Sequence, residues 1–80
     1  MYYFKTTFHL AINGSEMQQK ILHVRSKSEQ PSPNVLKDKI TSHYRKEYPF
    51  PGNSVAVIII STPKISESEF NSKPGSFIEM

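Results

Sequence analysis

The sequence predicts an α+β fold with the element order β-β-α-β. One helix packs on one face of a three-stranded antiparallel sheet, which becomes four-stranded if the C-terminus adds a short strand. Three observations lead to this fold: apolar residues alternate with polar ones over residues 2–12, recur every fourth position over residues 36–48, and form a β-branched run over residues 54–61. These patterns are typical of a half-buried strand, an amphipathic helix and a strand covered on both faces.

The first two strands are predicted to form a hairpin. Residues 2–12 place two sets of side chains on opposite faces: Tyr2, Phe4, Thr6, Phe8, Leu10 and Ile12 on one, and Tyr3, Lys5, Thr7, His9 and Ala11 on the other. Asn13 and Gly14 follow, and both tolerate the positive φ of a tight hairpin turn. The second strand then covers residues 17–26.

Two registers of this hairpin are open. A two-residue turn places Phe4 opposite His23, whereas a three-residue loop with Gly14 in a bulge brings Leu22 and Val24 onto the aromatic face. A slip of one residue exchanges the two faces of the whole strand. We favour the bulged register because it buries two branched aliphatic side chains together.

The helix is predicted from Ser32, as the N-cap, and Pro33, in the first turn, where a missing N–H costs nothing. It runs for about four turns and ends before Pro49 and Pro51, which cannot continue the hydrogen-bond ladder. Its apolar stripe comprises Leu36, Ile40, Tyr44 and, at the end, Tyr48.

The third strand ends at Pro63, and its return beside the first strand gives the spatial order 2-1-3 with antiparallel neighbours. A single helix cannot shelter both sides of residues 55–60, so apolar surface is expected on the open face of the sheet. The C-terminal segment, a second copy of the chain or a partner could cover that surface.

The chain is expected to form a single α+β domain over residues 1–62, followed by a Ser/Glu-rich, partly ordered tail over residues 63–80. Phe70 and Phe77 are its possible anchors on the domain. A short edge strand over residues 76–79 is the competing interpretation.

Composition and charge narrow the class of protein. The chain has no cysteine, begins with an alternating charged segment unlike a signal peptide, and has no apolar run long enough to cross a bilayer, so we expect a cytoplasmic protein without a membrane partner. The net charge is +3, made up of +4 in residues 1–50 and −1 in residues 51–80. The protein is therefore basic in its predicted folded part.

Residues for catalysis are lacking in any recognised arrangement. The three histidines (His9, His23 and His43) show no metal-ligand spacing, none of the eleven serines lies in a nucleophile motif, and three scattered glycines cannot form a phosphate-binding loop. We therefore expect no enzyme activity, no cofactor and no small-molecule substrate.

The first functional hypothesis is a small interaction or regulatory module that binds a protein partner or itself. Binding would use the uncovered sheet face or the outer edge of the second strand, whose unpaired backbone groups can accept an added strand. The residues assigned to this surface are Tyr3, Lys5, Thr7, His9 and Lys20.

The alternative is weak nucleic-acid binding. Basic side chains that can neutralise phosphates surround Tyr44 and Tyr48, which can stack on bases; they are Arg25, Lys27, Lys37, Lys39, Arg45 and Lys46. Against this, lysines commonly coat the solvent side of a helix, and Asp38 and Glu47 dilute the positive charge.

Overall fold

The computed structural model describes residues 1–73 and 75–80. Across these residues the chain forms a five-stranded sheet and two helices. The elements are β1 (Tyr2–Ile12), β2 (Gln18–Ser26), α1 (Pro33–Arg45), β3 (Val55–Ser61), β4 (Lys64–Ile65), α2 (Glu67–Asn71) and β5 (Phe77–Glu79). The strand order is β3-β1-β2-β5, with β4 also paired to β1.

The α+β class, the hairpin and the 2-1-3 order of the first three strands are confirmed. The predicted number of elements is too small by one strand or two and by one helix, because residues 64–80 add β4, α2 and β5. Position 74 of the segment predicted as a tail lies outside the described residues. The edge strand expected near residues 76–79 is present as β5, and it runs parallel to β2.

The hairpin adopts the bulged register, with Phe4 opposite Val24. Asn13 and Gly14 have φ values of 54° and 71°, and the N–H of Ser15 donates to the carbonyl of Ile12 at 3.0 Å. The N–H of Ile12 donates to the Ser15 hydroxyl at 3.2 Å. A side-chain oxygen thus occupies the place where a backbone carbonyl would continue the ladder, and the register shifts by one residue.

Helix α1 begins as predicted, with Ser32 at the N-cap and proline in the first turn, although the Ser32 hydroxyl makes no capping bond. The helix ends at Arg45, which is earlier than the predicted apolar stripe, because that stripe extended to Tyr48. The N–H groups of Glu47 and Tyr48 both donate to the carbonyl of Tyr44, which closes the last turn before Pro49. Tyr48 therefore lies beyond the helix.

The core lies between α1 and one face of the sheet. Burial of the apolar side chains of this core is the main source of stability, at about 1.5–3 kcal/mol for each side chain. Phe8 also meets the Tyr44 ring edge-on, with 6.0 Å between centroids. The buried cluster consists of Phe4, Phe8, Leu10, Val24, Leu36, Ile40, Val57 and Ile78.

Candidate interaction surface

The sheet face opposite α1 is covered by the C-terminal segment over only part of its area. Ser66 caps helix α2 through its hydroxyl, which accepts from the N–H of Glu69 at 3.0 Å, and the helix places the buried Phe70 ring against this face. The ring lies 4.8 Å from Tyr3, 5.7 Å from His23 and 5.2 Å from Phe77, between centroids. This aromatic cluster closes one half of the face.

The other half, which we call the uncovered face, consists of Thr7, His9, Ile21 and Ile58. In the sheet, Thr7 lies opposite Ile21, and His9 opposite Ile58. Both isoleucine side chains are 51% exposed, although each belongs to a strand whose other side chains reach the core. The apolar surface expected on the open face is thus present, with Ile58 on β3 and Ile21 on β2.

The outer edge of β3 carries unpaired backbone groups. On its inner side, Asn13 and Ser54 are a hydrogen-bonded pair, since the Asn13 N–H donates to the Ser54 carbonyl at 2.9 Å. Hydrogen-bonded and non-bonded pairs alternate along an antiparallel ladder. The backbone groups of Ala56 and Ile58 therefore face β1, and those of three residues face outward: Val55, Val57 and Ile59.

Within the described ranges 1–73 and 75–80, no strand pairs with this outer edge. The strand has seven residues, none of them charged. A bulge between Thr7 and Phe8 of β1 leaves Ile60 as the extra residue on β3, and Ile60 is 54% exposed. The regular part of the edge is therefore Val55–Ile59, which we call the β3 edge.

The prediction that β2 forms an outer edge of the sheet is wrong over three residues. Strand β5 pairs with β2 in parallel at His23, Val24 and Arg25, and the Met80 N–H donates to the Arg25 carbonyl at 2.8 Å. The physical reason is Ile78, which is buried in the core and draws the C-terminal segment alongside β2. The part of β2 that β5 leaves unpaired is Gln18–Leu22.

The structure places four of the five residues assigned to protein binding on one face. Lys5, Thr7 and His9 alternate along β1 on the side opposite α1, and Tyr3 lies on the same side beneath Phe70. Lys20 lies opposite Phe8, whose side chain is in the core, so Lys20 belongs to the helix side of the sheet. Thr7 and His9 are the pair that border Ile58.

The basic residues assigned to nucleic-acid binding do not form one surface. Arg25 makes an ion pair with Glu79 and lies over the Phe77 ring, 5.0 Å from its centroid. The Arg45 guanidinium donates to the Asn53 carbonyl at 2.7 Å and stacks on Phe50 at 3.4 Å. Both arginines therefore hold parts of the fold together.

The four lysines of this set are exposed. Lys27 and Lys39 line a common groove of about 460 Å³ with Val35 and Met80. Helical periodicity puts Lys39 and Lys46 on one flank of α1 and Lys37 about 160–200° away around the axis. Of the six residues, the structure therefore places Lys27 and Lys39 at one groove.

Further observations concern the titratable groups of the described residues. Among the described residues, no three histidine or carboxylate side chains converge as a metal site would require. The Lys64 ammonium, which donates to Glu29 at 2.8 Å, holds the pKa of that carboxyl below its usual range. Burial, with a smaller effect of Glu47, raises the pKa of the Tyr44 phenol.

Sequence reasoning did not assign Ile21, Ile58 and Ile60 to a site, although it expected exposed apolar surface on the third strand. The signal for Ile58 and Ile60 is the length of the uncharged β-branched run.

No helix within the described part of the chain has the length and hydropathy to cross a membrane. Searches of family models, curated proteins and solved structures find no match to this chain.

Proposed function

We propose that the chain is a small non-enzymatic interaction module that binds a protein by strand addition at the β3 edge. The observation that carries the proposal is the outer side of Val55–Ile59, which is unpaired within the described residues and has no charged side chain. Such an edge is a template for pairing with another strand.

The chemistry of this edge suits an extended polypeptide. Three residues direct backbone donors and acceptors outward, and an added strand would satisfy them through main-chain hydrogen bonds. Side chains on the sheet face next to the edge would supply selectivity, because alternate residues of an added strand lie beside Ile58 on that face. Burial of Ile58 would add apolar contact to the hydrogen bonds.

Affinity capture from the native host tests the proposal with three forms of the full chain: wild type, Ile58→Lys and Ile21→Lys. The two isoleucines have equal exposure, but only Ile58 lies on the β3 edge, whereas Ile21 belongs to β2. We expect a protein that wild type and Ile21→Lys retain and that Ile58→Lys loses, with retention unchanged by nuclease. An untagged copy of the chain counts as such a protein.

Two outcomes contradict the proposal. Equal retention by all three forms means that binding does not use the β3 edge. Loss of the captured material after nuclease treatment points instead to nucleic acid, and charge reversal of Lys27 and Lys39 is then the next variant to compare.

A further inference from the structure

The β3 edge has the features of a surface that pairs with itself. A two-fold axis perpendicular to the sheet makes two copies of a strand antiparallel and keeps both copies of α1 on the same side. Isologous pairing brings identical side chains close together, so a charged edge would repel its own copy. No charged residue occurs from Asn53 to Pro63.

The direction of the backbone groups determines the register. Since Val55, Val57 and Ile59 point outward, they must meet one another across the new ladder. When the axis is centred on Val57, Val57 pairs with Val57 of the second copy. Val55 of each copy then pairs with Ile59 of the other copy. Each hydrogen-bonded pair exchanges two bonds, so this register forms about six backbone hydrogen bonds.

The neighbouring registers are less complete. Centring the axis on Ile59 takes the pairing beyond Ile60, where the bulge disturbs the strand. When the axis is centred on Ala56 or Ile58, the outward residues still pair with one another's positions across the ladder. At least one of them, however, then pairs with a residue outside Val55–Ile59. The Val57 register alone uses every outward residue of the regular segment and no other residue.

We infer that the occupant of the β3 edge is a second copy of this chain, paired antiparallel with Val57 opposite Val57 of the second copy. This inference rests on the proposed function and names its partner. Helix-side contacts between Val55 and Ile59 extend the core across the axis, and Ala56 lies opposite Ile58 of the second copy on the open face.

The size of the interface sets the strength expected. A five-residue edge buries far less than the roughly 800 Å² per partner of a standard interface. The dimer should therefore be weak and depend strongly on concentration.

Sedimentation equilibrium of the purified full chain, from about 10 μM to about 1 mM, provides the first test. Wild type should show a monomer–dimer equilibrium. Ile58→Lys should weaken it at least about tenfold, since two lysines then lie near the axis, whereas the equally exposed Ile21→Lys should leave it unchanged. Thermal unfolding of both variants verifies that they fold.

Cysteine cross-linking tests the register, and the natural chain has no cysteine to interfere. Ala56 and Ile58 of the second copy would form a non-bonded pair with Cα atoms about 4.5 Å apart, within the range for a disulfide. A mixture of Ala56→Cys and Ile58→Cys chains should therefore cross-link between the two chain types much faster than either chain alone.

Several results overturn the inference. A wild-type monomer throughout the concentration range does so, and it leaves the proposed function to be decided by the capture experiment. Equal loss of dimer in both lysine variants indicates packing through the uncovered face instead. Cross-linking that is fastest in either single-variant sample excludes the Val57 register.

Discussion

The two outer edges of the sheet, on β2 and β3, differ in how far they are protected from pairing with another strand. Strand β2 is covered by β5 over His23–Arg25, and its unpaired part, Gln18–Leu22, is polar at one end and includes Lys20. Strand β3 has no covering strand among residues 1–73 and 75–80 and no charged residue. Its one protective feature is the bulge at Ile60.

Charges, covering segments and bulges are all common ways to protect an edge from pairing. The β2 edge has two of them and the β3 edge has one, at its far end. The open, apolar edge of β3, whose strand carries the exposed Ile58 and Ile60, is therefore the surface best suited to association. The C-terminal segment has two separate roles: Phe70 covers the sheet face over Tyr3 and His23, and β5 pairs with part of the outer edge of β2.

The largest effect is expected from removing the Phe70 side chain, which anchors the C-terminal segment on the sheet face. Phe70→Ala empties the centre of the aromatic cluster with Tyr3, His23 and Phe77, and large-to-small changes of buried phenylalanine cost about 3–5 kcal/mol. Because α2 is short and peripheral, we expect a loss of about 3 kcal/mol in the free energy of unfolding, measured by urea denaturation.

The same variant should act locally. Hydrogen exchange of the Met80 amide, which bonds to Arg25, should accelerate, while the amides of Ala56 and Ile58 keep their protection. Phe50→Ala is the matched control, because Phe50 is exposed and its ring stacks on the Arg45 guanidinium; it should cost less than about 1 kcal/mol. Equal costs for the two variants would show that Phe70 does not anchor the segment.

A second, smaller effect is expected where β3 begins. The Asn13 side chain accepts from the Ser54 N–H at 2.7 Å and donates to the Asn53 side chain at 3.1 Å, and its φ is 54°. Asn13→Ala loses both bonds and adopts a disfavoured backbone conformation, so we expect a cost of about 2 kcal/mol.

Asn13→Gly separates the two causes, because glycine accepts the positive φ but lacks the amide. It should cost about 1 kcal/mol. Exchange of the Ala56 amide should accelerate in both variants as the end of β3 loosens. A cost that is larger for glycine than for alanine would contradict the role given to backbone conformation.

The sequence predicted the part of the fold that periodicity encodes. Alternation in residues 2–12 and the Asn13-Gly14 turn predicted the hairpin, and pairing Leu22 and Val24 with the aromatic face selected its register. The bond from the Ile12 N–H to the Ser15 hydroxyl, which stabilises this register, could not be foreseen, because the sequence does not show which partner a serine hydroxyl takes.

The C-terminal segment was harder to predict because each of its elements is too short to show a period. Strand β5 has three residues and α2 has five. They are held by Phe70 and Ile78, single side chains that pack against residues distant in the sequence. Because β5 could not be predicted, the sequence indicated an open outer edge on β2. Without β5, the outer edges of β2 and β3 are both unpaired.

The smallest effect concerns how β5 is held. Glu79 pairs with Arg25, but their side chains are 60% and 33% exposed, and exposed ion pairs contribute about 0–1 kcal/mol. Glu79→Gln keeps an acceptor and removes the charge, so we expect a loss of less than about 1 kcal/mol, and about 1 M NaCl should reduce the difference from wild type. Because Ile78 and the Met80–Arg25 backbone bond remain, β5 should stay paired with β2. A loss above about 2 kcal/mol would mean that charge, more than packing, closes the β2 edge, and the contrast with β3 would then depend on ionic strength.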